Sequence, residues 1–116
     1  MERGSCLTLT ALVKALEKFD PDQVVSAGFG SADSYRGYYE DLAFAPGRET
    51  TVRQMMMVAR AAEGQTFEAY KGGSYRATGE TLCWLADWGK LGEPLTLERL
   101  LSMVLGPIVP PEKSEG

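Results

Sequence analysis

Histidine is absent from this 116-residue chain, and cysteine occurs only twice. Without an imidazole the chain lacks the usual general base near neutral pH. It also lacks Ser-His and Cys-His nucleophile pairs and the ligand sets of almost all common zinc sites. Cys6 and Cys83 stand in unrelated contexts with no Cys-x-x-Cys spacing, so they read as two reduced, partly buried thiols. No apolar run approaches the ~20 residues that span a bilayer. The opening MERGSCLTLT has an acidic residue and no long apolar stretch, unlike a signal peptide. The expectation is a soluble, cytoplasmic protein with no membrane partner. Positive charge is also scarce: 12 Lys and Arg against 16 Asp and Glu leave a net charge of −4. Duplex nucleic acid is therefore not an expected partner, because phosphate neutralisation by Lys and Arg supplies most of such binding. A small anion stays open, since two or three Arg in one pocket can hold a phosphate inside an acidic protein.

What remains is enough for one domain, expected over residues 1–106, with a Pro-rich charged tail over 107–116. Residues 8–18 read as a helix with Thr8 as N-cap and an apolar stripe of Leu9, Leu12, Val13 and Leu16. Asp20-Pro21 ends it. Residues 23–29 read as a strand, GSADS as a turn, and residues 35–45 as a second, aromatic strand pairing antiparallel with the first. The segment 51–63 is the clearest helix. Thr51 and Gln54 fit a capping box, Gly64 fits the C′ position, and Val52, Met55, Met56, Ala59 and Ala62 form its apolar face. Three short strands follow at 66–70, 74–78 and 81–88, then a helix at 96–104 capped by Thr96. The similar starts LTLTAL and LTLERL are a faint sign of duplication. The expected class is α+β, with a mostly antiparallel sheet of about five strands and two or three helices on one face.

The chemistry-bearing stretches are SYRGYY at 34–39 and YKGGSYR at 70–76. The first begins like the RNA-recognition strand signature R-G-F/Y-G/A-F-V-x-F/Y. The match fails at Tyr39, and Glu40 and Asp41 bring negative charge to the stacking face. The second has its Lys before its glycines, the reverse of a P-loop. It reads as a hairpin turn in which Gly72 and Gly73 let backbone N–H groups approach an anion, with Lys71 or Arg76 beside it. GFGSAD at 28–33 has the wrong spacing for a dinucleotide fingerprint. On a strand, Arg36 and Tyr38 share a face while Tyr35 takes the other. Arg53 and Arg60, seven apart, read as a solvated helix face. Trp84 and Trp88, four apart, read as one packed face of a strand. Glu40, Asp41 and Asp87 are acids without a nucleophile, base or metal cluster beside them, so no enzyme and no cofactor is expected.

The runs SYRGYYEDLAFAP, TVRQMMMVA and FEAYKGGSYRATGETLCWLADWG, over roughly residues 34–92, resemble a set of small phage-encoded proteins. Within that set the pattern is similar to the anti-defence sponges of the Thoeris type, which sequester cyclic ADP-ribose signals without cleaving them. The resemblance implies a homo-oligomer with pockets at subunit contacts, and it carries no individual residue across. Residue chemistry and resemblance together favour a non-enzymatic binder of a phosphate-bearing signalling nucleotide. Arg36, Tyr38, Lys71, Gly72, Gly73 and Arg76 are its expected site, with Tyr39 and Tyr75 secondary. The alternative is a protein-interaction module that inhibits a host protein or serves as a minor phage component, with Tyr and Arg as interface anchors.

Overall fold

The computed structural model describes residues 3–38, 40–69 and 72–106; the expected tail at 107–116 lies outside them. A 3-10 turn at Arg3–Ser5 precedes helix α1 (Leu9–Leu16). The Thr8 side chain accepts the Ala11 N–H at 3.1 Å, and Leu9, Leu12 and Leu16 are buried. Strands β1 (Val24–Ser34) and β2 (Leu42–Thr51) follow, then helix α2 (Val52–Ala62). A two-stranded ribbon, β3 (Thr66–Glu68) and β4 (Ser74–Arg76), leads to β5 (Cys83–Leu85), β6 (Glu93–Pro94) and helix α3 (Leu97–Leu105). Among the described residues no helix is long and apolar enough to cross a membrane.

The class is α+β, but the sheet differs from the expected one. β1, β2, β5 and β6 form a four-stranded mixed sheet in that order, and β3–β4 form a separate ribbon. β2 and β5 are parallel, with Leu42 opposite Cys83 and Phe44 opposite Leu85. Parallel neighbours need a long crossover, and α2 with the β3–β4 ribbon supplies it. Short-range patterning identifies strands but not which distant strand lies beside them.

The boundaries of the first hairpin are also corrected. GSADS belongs to β1, residues 35–41 are the turn, and β2 runs through Pro46-Gly47 to Thr51. Pro46 is tolerated in a strand because β5 pairs only with Leu42–Phe44, so β2 has β1 alone as neighbour beyond Phe44. Register shifts near Gly28 and Phe29 absorb the irregularity. A Cβ on Gly28 would come within 2.6 Å of Thr50 Cγ2 and 2.9 Å of Met55 Sδ, so glycine lets β1 pass close under α2.

The helices cover one face of the sheet, where Leu12, Phe29, Phe44, Met55, Leu85 and Leu100 lie in the main core. Alternation along β2 and β5 sends Ala43, Trp84 and Ala86 to the opposite face. There they pack with Cys6 and Tyr35 in a second, smaller cluster. Double-sided burial explains the unbroken apolar run CWLA. On α2, Thr51 Oγ1 accepts the Gln54 N–H at 3.1 Å. The reciprocal half of the expected capping box is replaced by a Thr50 Oγ1 to Gln54 Oε1 bond at 2.9 Å. All five residues of its expected apolar face are buried. Arg53 and Arg60 are exposed and reach Asp22 and Glu17 at 2.8 and 2.7 Å. Gly64 has a φ of 85° and donates to Ala77 O at 2.7 Å, joining the end of α2 to the ribbon. The likeness of LTLTAL to LTLERL amounts to matching helix caps, Thr8 and Thr96.

Both cysteines are free and buried. Burial, reinforced by nearby Cys6 and Asp41, pushes the Cys83 thiol strongly upward from its ordinary pKa. A thiolate is the reactive form, so an aromatic disulfide reagent should leave both thiols untouched in the native protein and titrate them only on unfolding. Rapid labelling of either thiol without denaturant would contradict this packing.

Candidate functional site

Two hairpin turns spring from one place. β1 ends at Ser34, whose hydroxyl donates to the carbonyl of Glu68, the last residue of β3. Ser34 pairs with Leu42 and Glu68 with Ser74, so the 35–41 and 69–73 turns leave from adjacent strand ends. The Tyr75 hydroxyl sits behind the junction, 3.0 Å from Ser34 Oγ and 3.1 Å from the Asp41 carbonyl oxygen. Burial pushes the Tyr75 phenol upward; its bond to Ser34 opposes that, and the negative charges of Asp41, Glu40 and Asp33 add to it. Tyr75 is thus a buried strut of the junction.

The 35–41 turn is fastened to Trp84. The indole N–H donates to the buried Asp41 carboxylate at 2.9 Å. Tyr35 N–H donates to Asp41 O at 2.9 Å, closing the turn. The Tyr35 ring stacks on Trp84 at 4.4 Å and the Tyr38 ring at 5.4 Å, tilted by 14° and 20°. A Cβ on Gly37 would fall 2.5 Å from the Tyr35 ring, so only glycine lets the chain fold over it. Glu40 adopts a left-handed φ of 68°, an uncommon conformation for a side-chain-bearing residue, held here next to the fastened Asp41.

A third segment joins this end. The Gly92 N–H donates to the Tyr35 hydroxyl at 3.1 Å, and Arg36 Nη1 donates to Gly89 O at 3.3 Å. The 86–92 loop therefore lies against the 35–41 turn. β5 stops at Leu85, so Trp84 and Trp88 do not share a strand face: Trp84 is fully buried, while Trp88, on the loop, is 58% exposed.

Of the expected site residues, Arg36 and Tyr38 are on the surface of the first turn, with Tyr38 40% exposed. Their shared exposure comes from the turn and not from strand alternation. Gly72 and Gly73 form the second turn with φ of 105° and 80°, and a Cβ on Gly72 would meet nothing within 4 Å. Lys71 and Tyr39 lie outside the described residues. Arg76 projects outward from β4 into a different setting. It lines a cleft of about 290 Å³ with Glu40, Asp41, Tyr75, Thr78, Glu80 and Thr81. Three carboxylates against one guanidinium make that cleft unfavourable for a phosphate dianion. Among the described residues no cluster of three metal-ligating side chains occurs.

Sequence reasoning missed Asp41, Trp84 and Trp88 as elements of this end. The acidic pair at 40–41 read as negative charge on an aromatic face. Its real signal was an Asp directly before a buried apolar run, where a carboxylate needs a donor such as an indole. Comparison with protein-family models, curated proteins and solved structures finds no match.

Proposed function

We propose that the protein is a non-catalytic binder of a phosphate-bearing signalling nucleotide, in the manner of the phage sponges its sequence resembles. One observation carries the reading: the Ser34–Glu68 bond joins two turns, one bearing Arg36 and exposed Tyr38, the other two left-handed glycines. A tyrosine ring supplies a platform for a base, and a guanidinium can take phosphate oxygens bidentately. Gly72 and Gly73, preceded in sequence by Lys71, supply a backbone that an anion can approach. In this reading the phosphate falls to Arg36, and Arg76, among carboxylates, stays outside the anion subsite. The reading extends to a homo-oligomer working in the cytoplasm of an infected host cell.

The test is a melting curve taken with ADP-ribose, cyclic ADP-ribose, cyclic AMP and cyclic di-AMP. A ligand at a hundred times its Kd adds about 2.7 kcal/mol, a rise of about 10 °C for a chain of this size. Arg36→Ala should shrink the rise, while Arg76→Ala should leave it unchanged. No rise with any of the four would refute the reading.

A second reading, the protein-interaction module, draws on a separate observation. Leu97, Leu101 and Leu105 recur every fourth residue along the exposed side of α3, while Leu100, Met103 and Val104 face the core. Leu101 and Leu105 line a shallow groove of about 230 Å³ with Glu98, Ser102 and Gly106. Such a stripe is a candidate contact for the homo-oligomer or for another protein. A uniformly flat set of melting curves would leave this reading standing and remove the first.

A further inference from the structure

We propose that the exposed side of α3 docks a basic amphipathic segment of a partner protein, its apolar side chains on the leucine stripe and its Lys or Arg against the flanking carboxylates. This rests on the interaction-module reading, to which it adds the partner's chemistry, and is independent of the nucleotide reading. Leu97, Leu101 and Leu105 are 49%, 37% and 66% exposed, three large apolar side chains spaced four residues apart on one helix. At 1.5 Å per residue the stripe runs for about 12 Å, which two turns of a partner helix match. The helix is fixed before any partner arrives. Thr96 Oγ1 accepts the Arg99 N–H at 3.0 Å, Gln23 Nε2 donates to the Val104 carbonyl oxygen at 2.8 Å, and Leu100, Met103 and Val104 lie in the main core. A surface already in place loses little conformational freedom on binding.

Charge selects the occupant. The groove of about 230 Å³ that holds Leu101 and Leu105 is also lined by Glu98 and Ser102. The same two residues line a second groove of about 450 Å³, together with Glu93 and Arg99. The apolar groove therefore continues into an acidic one. Arg99 is already bonded to Glu93 at 3.3 Å, whereas Glu98 has no ion-pair partner among the described residues. The last turn of α3 carries no basic residue to offset it. A second copy seated here would bring a like set of carboxylates against the first, and like charges face to face are unfavourable. An anionic lipid surface would be repelled for the same reason. A segment bearing Lys or Arg beside its apolar residues meets Glu98 with opposite charge while covering the leucines. The net charge of −4 on the whole chain adds attraction at longer range.

The experiment titrates the full chain into two labelled synthetic peptides and reads fluorescence anisotropy. One is an amphipathic helical peptide of leucine and lysine; the other has the same pattern with glutamate in place of lysine. One helix face makes an interface of the small, transient kind, so the leucine–lysine peptide should bind with a Kd of about micromolar order. The leucine–glutamate peptide should bind at least about 10-fold more weakly. Leu101→Ser and Leu105→Ser should each weaken the leucine–lysine peptide by about 10-fold, the loss expected for one buried leucine. Glu98→Gln should slow association and flatten its dependence on salt. Leu91→Ser, at a leucine 64% exposed but outside α3, should bind like the parent. All these side chains are exposed, so the variants should melt with the parent; Leu105→Ser, at the most exposed leucine of the stripe, decides if Leu101→Ser does not. Equal binding of the two peptides, or binding of neither, would overturn the basic partner and leave the interaction-module reading standing. Parent-like affinity in both stripe variants would overturn the docking surface and that reading with it. Self-association of the parent in sedimentation, abolished by Leu105→Ser, would make a second copy the occupant and overturn the proposal. Tighter peptide binding by Ile108→Ser would overturn it in favour of the chain's own C-terminal residues.

Discussion

Trp84→Ala should lower the unfolding free energy by about 3–5 kcal/mol, the usual range for a fully buried large aromatic. That is a large share of the ~5–15 kcal/mol that holds a domain of this kind together. The effect is expected because Trp84 fills the smaller core and also holds the 35–41 turn. In β5 it is central to the cluster of Cys6, Tyr35, Ala43 and Ala86. From that position it stacks with Tyr35 and Tyr38 and bonds the Asp41 carboxylate. Truncation empties the cluster and leaves Asp41, only 2% exposed, without its indole donor. Trp84→Phe separates the two contributions. It keeps most of the ring volume but removes the N–H, so it should cost less, about 1 kcal/mol or somewhat more, for the loss of one buried hydrogen bond to a carboxylate. Chemical denaturation of both variants checks the order. A loss below about 1 kcal/mol for Trp84→Ala would mean that the second cluster contributes little.

Gly92→Ala should be nearly as damaging, although it adds a single methyl group. The added Cβ would lie 1.9 Å from Leu85 O and 2.7 Å from Ala86 Cβ. Both obstacles belong to β5 or its immediate continuation, and backbone cannot rotate away as the end of a long side chain can. The strand or the loop has to shift, which puts the expected cost at or above the upper end of the ~1–3 kcal/mol typical of overpacking. The shift has a second consequence, since the Gly92 N–H holds the Tyr35 hydroxyl. Gly92→Ala should therefore also loosen the 35–41 turn and, on the proposed function, weaken nucleotide binding. Gly4→Ala is the control, because its Cβ would meet nothing within 4 Å. Equal melting temperatures for the two variants would contradict the close approach.

The helices were legible in the sequence because their signals are local. Thr8, Thr51 and Thr96 each accept a backbone N–H three residues on, and each precedes an apolar stripe of helical period. The first hairpin was misread because its chemistry runs against local rules. Tyr35, Gly37, Tyr38 and Asp41 form a turn whose aromatics would suit a strand; they are there because Trp84, more than forty positions away, offers a ring to stack on. Gly30 and Ser31 would suit a turn but lie within β1, at the register shift between Phe29 and Ala32, where the strand tolerates turn-prone residues and resumes its pairing at Ala32. The parallel alignment of β2 with β5 was equally hidden, being decided by the crossover and not by either strand. For the site, the turn at Gly72-Gly73 was readable, whereas Arg36 and Tyr38 were expected on one face of a strand and lie on a turn. The approach of the 86–92 loop was not, since it depends on a tyrosine hydroxyl and a guanidinium bonding to backbone far along the chain. Tyr75 illustrates the converse: Ser-Tyr-Arg occurs at 34–36 and at 74–76, yet Tyr35 stacks on Trp84 while Tyr75 faces the junction and Arg76 faces carboxylates.

The central claim is binding without chemistry, and recovery of the ligand tests it most directly. The protein is equilibrated with ADP-ribose, cyclic ADP-ribose, cyclic AMP or cyclic di-AMP, separated from free ligand and heat-denatured, and the released small molecule is analysed by mass. The proposal predicts that at least one of these nucleotides is retained by the folded protein and returned with its mass unchanged. Retention of none, or release of a cleaved product, would contradict it.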